Sequence, residues 1–424
     1  MKLKNLLALF LAFALVLTAC GQTNKTNEKE TKKVETTKEG KAKLEPAKVV
    51  FWHAMNGKQE EALKEITKAY MDKNPDIKIE LQNQLGYKEL QEKITNTSSS
   101  PDNLPTMTQA YPDWMFNPIK DDLVEDLTKY TKSLADYNDI LEGFRNGSMI
   151  DGKVYSMPFN KSTEVLWYNE DLFKELNLKV PTNLDELKEV SKKIYESKKI
   201  PGLGFDSLSN YYTTFLNAEG VKYDDKFDPT SDSSKKAVNY YLDGVKEGYF
   251  RIAGTDKYMS GPFGNQKAGM YIGSNAGETY VLQGAKGKFT PKVAKSPFPA
   301  TIQQGTDVFI FKKATDAEKK AAFDYLAFLT NKENQITWAS KTGYIPVRES
   351  AVNDDKYKNS GSLIAPILGE VTKNLYSNPI LSGANNAYRE SGTVLEQLLA
   401  DPANADVDAT LKNFKTTLEG IWNQ

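Results

Sequence analysis

Ala47-Lys48-Val49-Val50-Phe51-Trp52 is a short run rich in β-branched and aromatic side chains, and the alternation of helix and strand patterns after it decides the fold. From Glu60 to Asn74, Ala62, Leu63, Ile66, Ala69 and Tyr70 recur at helical spacing and lay one apolar stripe along a helix. Asn74-Pro75-Asp76 stops it. Ile77 to Leu81 then alternates Ile, Ile and Leu with Lys and Glu, which predicts a strand. Tyr87 to Thr97 reads as a second helix and Pro105 to Ala110 as a third strand. A β-α-β-α-β order needs helices over a largely parallel sheet with right-handed crossovers, so the expected class is α/β.

The pattern continues downstream. Asn146 to Phe159 carries Asp151-Gly152 between two short runs, a hairpin signal. Ser162 to Tyr168 reads as a strand. Thr182 is the expected N-cap of a helix with Asp185 three residues on, and Leu184, Leu187, Val190 and Ile194 form its buried stripe. Further helices are expected near 209–218 and 232–247, at Ala317–Thr330, and again from Asn331. Ala268–Ile272 and Asp307–Phe311 are apolar strands. In the tail, Val407, Leu411, Phe414, Leu418 and Ile421 repeat at 4, 3, 4 and 3, with Trp422 beside them, which predicts a closing helix. The folded part, about 375 residues, exceeds one ordinary core, so two lobes are expected.

The N-terminus has a separate character. Lys2 and Lys4 precede an apolar run from Leu6 to Leu17, and Leu17-Thr18-Ala19-Cys20-Gly21 comes next. A basic start, a short apolar core and small residues before a cleavage point describe a secretory signal, and the apolar run is too short for a permanent membrane span. Cys20 is the only cysteine. The string resembles the lipobox of bacterial lipoproteins, in which this cysteine takes a diacylglyceryl chain and becomes the new N-terminus. Residues 1–19 are therefore expected to be a signal and Cys20 a lipidation site. Residues 20–46, polar and without aromatics, are expected to form a disordered tether. Loss of Lys2 and Lys4 takes the formal charge from −1 to −3, a balance that offers no basic field to nucleic acid.

Composition limits the chemistry. A single histidine, His53, excludes a multi-histidine zinc site and the H-E-x-x-H motif, and no G-x-S-x-G elbow accompanies it for a serine triad. Neither a Walker loop nor G-x-G-x-x-G occurs. No metal and no cofactor is expected. A hydrolase built on paired carboxylates stays open, as does a surface adhesin.

Three strings converge on one family. F-W-H-A-M-N-G (Phe51–Gly57) comes at the end of the first strand. M-P-F-N-K-S-T-E-V-L-W-Y-N-E-D-L-F (Met157–Phe173) crosses an expected inter-lobe strand, and K-T-G-Y-I-P-V (Lys341–Val347) comes after a helix bearing Y-L-A-F-L-T-N-K-E-N-Q. From Val49 onward the chain resembles family 1 of the extracellular solute-binding proteins of ABC importers, the maltose- and glycerol-phosphate-binding type. The resemblance implies a two-lobe periplasmic-binding-protein-like fold with a hinge, and a ligand cleft that closes around a small molecule. It implies an N-terminal lobe of 47–157 plus about 304–342, and a C-terminal lobe of 158–303 plus about 343–424. It also implies a non-enzymatic monomer, lipid-anchored to the outer face of the cytoplasmic membrane. There it would capture a carbohydrate or a glycerol phosphate and deliver it to ABC permease subunits.

The family's motifs point to particular residues. Tyr87 stands at a cleft tyrosine after a glycine, Ser162 at a cleft serine, and Tyr344 at a ligand-contacting tyrosine. Arg389 stands at the phosphate-facing arginine, whose planar fork of donors suits phosphate. Gly305, Thr306 and Ser274 offer backbone N–H groups or a hydroxyl to an anion. Tyr211 and Tyr212 fall where the family carries cleft aromatics. At Tyr111-Pro112-Asp113 the chain departs from the family's Tyr-Glu, which shifts an expected carboxylate contact to Asp113. Trp52, His53 and Trp167 read as structural. Arg389 directed into the cleft beside Gly305 and Ser274 would favour an anion, whereas Arg389 paired with Glu390 would favour a sugar.

Overall fold

The computed structural model describes Leu44–Asn423, so the expected signal, Cys20 and most of the tether lie outside the described residues. Ten strands join in one mixed sheet. The opening run forms β1 (Ala47–His53), α1 (Gly57–Lys73), β2 (Ile77–Asn83), α2 (Tyr87–Ser98) and β3 (Met107–Ala110), with β1 parallel to both β2 and β3. Leu63, Ile66 and Tyr70 of α1 are buried against this sheet. The N–H of Asn74 closes α1 on the carbonyls of Tyr70 and Met71, and Pro75 prevents another turn.

β4 (Ser156–Asn169) is the long strand that links the two halves. Its first part pairs antiparallel with β9 (Thr301–Ile310), from Ser156 opposite Phe309 to Thr163 opposite Gln303. Its second part changes partner and pairs with β7 (Met270–Ser274) and β8 (Pro291–Lys295). Between them come α3 (Leu184–Lys198), β5 (Leu203–Phe205), α4 (Leu208–Ala218), α5 (Asp232–Glu247) and β6 (Phe250–Ile252). Then β9 returns to the first half, followed by α6 (Asp316–Leu329) and α7 (Lys332–Thr342). The edge pair β10 (Leu375–Tyr376), then α8 (Ala384–Ala400) and α9 (Val407–Trp422), completes the second half. The strand order is β2-β1-β3-β9-β4-β7-β5-β6, so β9 and β4 lie at the junction.

The buried apolar residues form separate clusters, one of which runs across the junction to Trp167, Phe263 and Tyr271. Val49, Phe51, Leu63 and Ile310 belong to that one. Leu187, Phe205, Tyr211, Tyr241 and Phe414 belong to another. Leu411, Phe414 and Leu418, the closing-helix residues expected from sequence, are buried. Each such side chain contributes about 2 kcal/mol by leaving water.

The α3 cap differs from the expectation by one residue. Asn183 is the N-cap and accepts from the N–H of Glu186 at 2.9 Å. Thr182 instead donates its N–H and hydroxyl to the Glu186 carboxylate at 2.8 and 2.9 Å. Asparagine at N-cap satisfies one orphan donor as well as threonine does, and the Thr182–Glu186 bonds close the turn from outside.

The stretch after α7 touches both halves. Buried Arg348 donates to the carbonyl of Thr330 and, at 2.7 Å, to that of Asp136, and pairs with the Asp136 carboxylate at 3.0 Å. Asn275 of the second half donates to the Gly343 carbonyl at 2.5 Å, and Ser362 donates to Glu278 at 2.9 Å.

Candidate functional site

A cavity of about 300 Å³ lies between the halves, at the lower end of the range for small-molecule sites. From the first half, α2 supplies Tyr87 and Gln91, and the turn after β3 supplies Tyr111, Asp113 and Trp114. From the second, α4 supplies Asn210 and α8 supplies Asn385, Tyr388 and Arg389. Ile302–Gly305 of β9 and Lys161 of β4 line it at the junction.

Local structure explains each placement. Gly86 is extended and starts α2 at Tyr87, so one helical turn carries Gln91 onto the same face. Pro112 opens a short 3₁₀ turn that turns Asp113 and Trp114 toward the cavity. On α8 the 3.6-residue period places Asn385, Tyr388 and Arg389 together while Ala384, Ala387 and Ser391 face the core.

One wall is aromatic. Tyr111 and Trp114 have ring centroids 5.0 Å apart, and Tyr87 lies edge-on to both at 5.5 and 6.3 Å. Burial raises the Tyr87, Tyr111 and Tyr388 hydroxyls above the usual phenol range, so they are neutral donors and acceptors.

A polar chain crosses the cleft. Arg389 Nη1 donates to Gln91 Oε1 at 3.2 Å, Gln91 Nε2 to Asn385 Oδ1 at 2.5 Å, and Asn385 Nδ2 to Asp113 Oδ2 at 2.9 Å. A cation at the rim thus connects through two amides to a carboxylate in the wall, and every link has one donor and one acceptor. Burial raises the Asp113 carboxyl, while the Asn385 amide and the N–H groups of Asp113 and Trp114 pull it back.

Of the residues proposed from sequence, Tyr87, Asp113, Gly305 and Arg389 line the cavity. Tyr344 lies behind it, stacked on Trp338 with centroids 5.5 Å apart and its hydroxyl 3.1 Å from that of Tyr87. Thr306 donates to Asn160 Oδ1 at 2.6 Å from a buried position. Ser162 is buried on β4 opposite Gln304. Ser274 accepts the N–H of Ala276 at 3.2 Å, a local turn contact.

Tyr211 and Tyr212 are corrected: both are core residues. Their hydroxyls are engaged, Tyr211 with the Ala237 carbonyl at 2.6 Å and Tyr212 with Ser234 at 2.5 Å. Their neighbour Asn210 faces the cavity instead, because one residue along a helix turns the side chain by about 100°. Arg389 bonds Gln91 and not Glu390, and Gly305 lines the same cavity, whereas Ser274 does not. Sequence reasoning missed Gln91, Asn210, Asn385 and Tyr388. Two were readable: Gln91 lies four residues after Tyr87, and Asn385 lies four before Arg389.

Two further carboxyls lie off the cavity, Glu164 buried and Asp206 half-buried. Glu164 accepts from Asn210 Nδ2 at 2.8 Å, and Asp206 accepts the N–H of Met259 at 2.6 Å. Burial pushes Glu164 up to about 8, helped by the nearby Asp206 charge and opposed by Asn210. It pushes Asp206 up to about 7. An unfolded glutamate titrates near 4.3. Between that value and about 8 the native state holds a proton that the unfolded state has released, so this group's contribution to stability falls as pH rises and levels off above about 8. Glu164→Gln is therefore expected to gain stability relative to the parent progressively from pH 5 to pH 8. Urea unfolding of both proteins across that range checks it, and parallel pH curves would refute it.

Among the described residues no group of three or more His, Cys, Asp or Glu side chains is arranged to hold a metal, and no helix there is long and apolar enough to cross a membrane. The profile of the family described as bacterial extracellular solute-binding protein matches residues 65–365. The chain is 23% identical over 389 residues to a maltotriose-binding protein of Pyrococcus abyssi, covering 87% of this chain and 81% of that one. Its fold superposes with a TM-score of 0.79 on UgpB of Mycobacterium tuberculosis in complex with glycerophosphocholine, at 20% identity over 89% and 98% of the two chains. It superposes equally, at 0.79 and 17% identity over the same shares, on the GacH receptor of Streptomyces glaucescens, whose structures include a complex with acarbose. The matched profile spans most of the two-lobe fold and both sides of its cleft, and the chain belongs to the bacterial extracellular solute-binding protein family.

Proposed function

We propose that this chain captures a neutral carbohydrate in the cleft and delivers it to an ABC permease. The observation that carries the ligand class is Asp113, a carboxylate in the cavity wall beside the Tyr111–Trp114 aromatic pair. A carboxylate accepts hydrogen bonds from sugar hydroxyls, and aromatic faces pack on the apolar C–H faces of a pyranose. Against a phosphate the same carboxylate is unfavourable. Two unit charges about 5 Å apart repel by about 3 kcal/mol at an effective dielectric of about 20, worth roughly two orders of magnitude in affinity. The cations offset this only in part. Lys161 is paired with Asp307, and Arg389 is exposed and bonded to Gln91. Solvent and salt screen a rim charge more than a buried one. The relative named for maltotriose agrees with this reading; the neighbour bound to glycerophosphocholine is the reason to test the alternative.

The test is a thermal-shift panel of maltose, maltotriose, glycerol 3-phosphate and glycerophosphocholine. A ligand at 100 times its Kd adds about 2.7 kcal/mol of stability. The expected result is a rise with a sugar, lost in Trp114→Ala and reduced in Asp113→Ala. A rise with the phosphates alone, lost in Arg389→Ala, would replace the carbohydrate reading with an anion one.

The same proposal places the protein on the outer face of the membrane through a lipid on Cys20, with the polar segment from Gly21 to Pro46 as its leash. Cell fractionation is expected to find the parent in membranes and Cys20→Ser in the soluble or secreted fraction. Equal membrane retention of both would remove the lipid from the account.

A further inference from the structure

Asn210 and Tyr388 both line the cavity, and they are linked to a carboxyl that does not. Glu164, on β4, is 3% exposed. Its Oε1 accepts from Asn210 Nδ2 at 2.8 Å. The hydroxyl of Tyr388 then donates to Asn210 Oδ1 at 2.5 Å. Ser207 Oγ lies 3.4 Å from that hydroxyl and accepts the backbone N–H of Asn210 at 3.2 Å.

The direction of this hydrogen-bond chain follows from Asn210 Nδ2 donating to Glu164 Oε1, which accepts as a carboxylate oxygen or, with the proton on Oε2, as the carbonyl of the neutral acid. An amide side chain has a donor end and an acceptor end, and a tyrosine hydroxyl has one hydrogen. Once Oε1 of Glu164 takes the NH₂ end of Asn210, the carbonyl end must face Tyr388. Tyr388 spends its only hydrogen there. What its oxygen presents elsewhere is lone pairs.

We propose that Glu164 is a positioning residue for ligand selection: through Asn210 it fixes Tyr388 as a hydrogen-bond acceptor toward the cleft. This inference rests on the carbohydrate reading and deepens it. Acceptors at two points of the wall, Tyr388 on one side and Asp113 on the other, match a ligand rich in O–H donors, while the cleft's own donors Arg389, Gln91 and Asn385 are engaged with one another and with Asp113. A phosphate, which brings acceptors, meets lone pairs on both sides. The selection is thereby set by a residue that never touches the ligand.

Substitutions at Glu164 separate this role from a merely structural one. Glu164→Gln keeps an oxygen able to accept from Asn210 and is expected to bind the carbohydrate within about threefold of the parent. Glu164→Met removes the acceptor, frees Asn210 to turn over, and is expected to weaken binding tenfold or more by calorimetry on the full chain. In a Tyr388→Phe background the same Met substitution is expected to change affinity less than twofold, because the hydroxyl it acts through is gone. An equal loss in both backgrounds, or no loss in either, overturns the proposal. Should Glu164→Met fail to fold, Asn210→Leu breaks the chain at its middle link and is read in the same two backgrounds.

The outcome stays informative where the carbohydrate reading fails. If the parent binds glycerol 3-phosphate instead of sugars, Glu164→Met is expected to bind it more tightly, which sinks that reading and keeps the relay; weaker binding overturns the relay as well. In the free protein, NMR reads the link directly. The side-chain amide protons of Asn210 are expected to exchange at least tenfold faster in Glu164→Met, and unchanged exchange overturns the relay whatever the cleft binds.

Discussion

Gly305→Ala is expected to destabilise the protein by about 3 kcal/mol or more, one of the two largest effects of any single substitution argued from this structure. Two costs act together. Gly305 has φ of +86°, a conformation that a side chain rarely adopts. A Cβ built there would also lie 1.9 Å from the carbonyl oxygen of Asn160 and 2.8 Å from the Cα of Lys161. Those atoms belong to the backbone of β4 and cannot swing aside as a flexible side chain could. Gly305 pairs in register with Lys161, and the register shifts just beyond it, between Thr306 and Asp307, where β4 carries Phe159 as an extra residue. Because Gly305 also lines the cavity, relief of the clash must part β4 from β9 and displace Gln303 and Gln304. Weaker ligand capture is expected alongside the lower unfolding free energy in urea. A variant with parent stability would show that the junction yields easily, and the close approach of the strands would then have no structural weight.

The same strands show where sequence reading succeeds and where it stops. α1 and β2 are legible because one face of each is apolar at the right period, and β1 because a continuous apolar run marks a strand buried on both faces. The closing helix is legible for the same reason as α1. Sequence reading finds β4 only from Ser162, yet the strand begins at Ser156. Asn160, Lys161, Ser162 and Thr163 are buried by their position between strands and not by their hydrophobicity. Their cost is met by partners far along the chain: Gln109 and Thr306 for Asn160, Asn275 and Thr301 for Thr163. β8, with lysines at two of its five positions, escapes the pattern because an edge strand needs no alternation. The site obeys the same rule. Tyr87 and Arg389 stand in single motifs, whereas the Gln91–Asn385 contact joins residues nearly three hundred positions apart and exists only once the lobes meet. Sequence points to Tyr211 and passes over Asn210, because a preference for aromatic side chains in a sugar cleft cannot resolve a single step of helix rotation.

Asp307→Ala is expected to cost about 3–5 kcal/mol, more than Lys161→Met, and the pair Lys161→Met with Asp307→Leu is expected to recover most of the loss. The Lys161 ammonium and the Asp307 carboxylate form an ion pair with both side chains buried, 1% and 0% exposed. Asp307 Oδ2 also accepts from Ser148 at 2.8 Å and Ser156 at 2.6 Å. Removing the carboxylate therefore strands a buried cation and the Ser156 hydroxyl at once, while Ser148 keeps the Phe144 carbonyl at 3.2 Å. Removing the lysine leaves the carboxylate with both serine donors, which lowers the penalty. Replacing both charges by apolar side chains leaves no uncompensated charge, so the double variant should exceed either single one in urea unfolding. Simple addition of the two single losses would mean that the charges are not coupled. The pair matters for function because Lys161 lines the cavity at the junction of the halves. With its charge held by Asp307, this lysine is not free to balance an anionic ligand. Asp307→Ala releases it, so any residual folded protein is expected to gain affinity for glycerol 3-phosphate relative to maltotriose; an unchanged ratio would show that Lys161 has no influence on what the cleft admits.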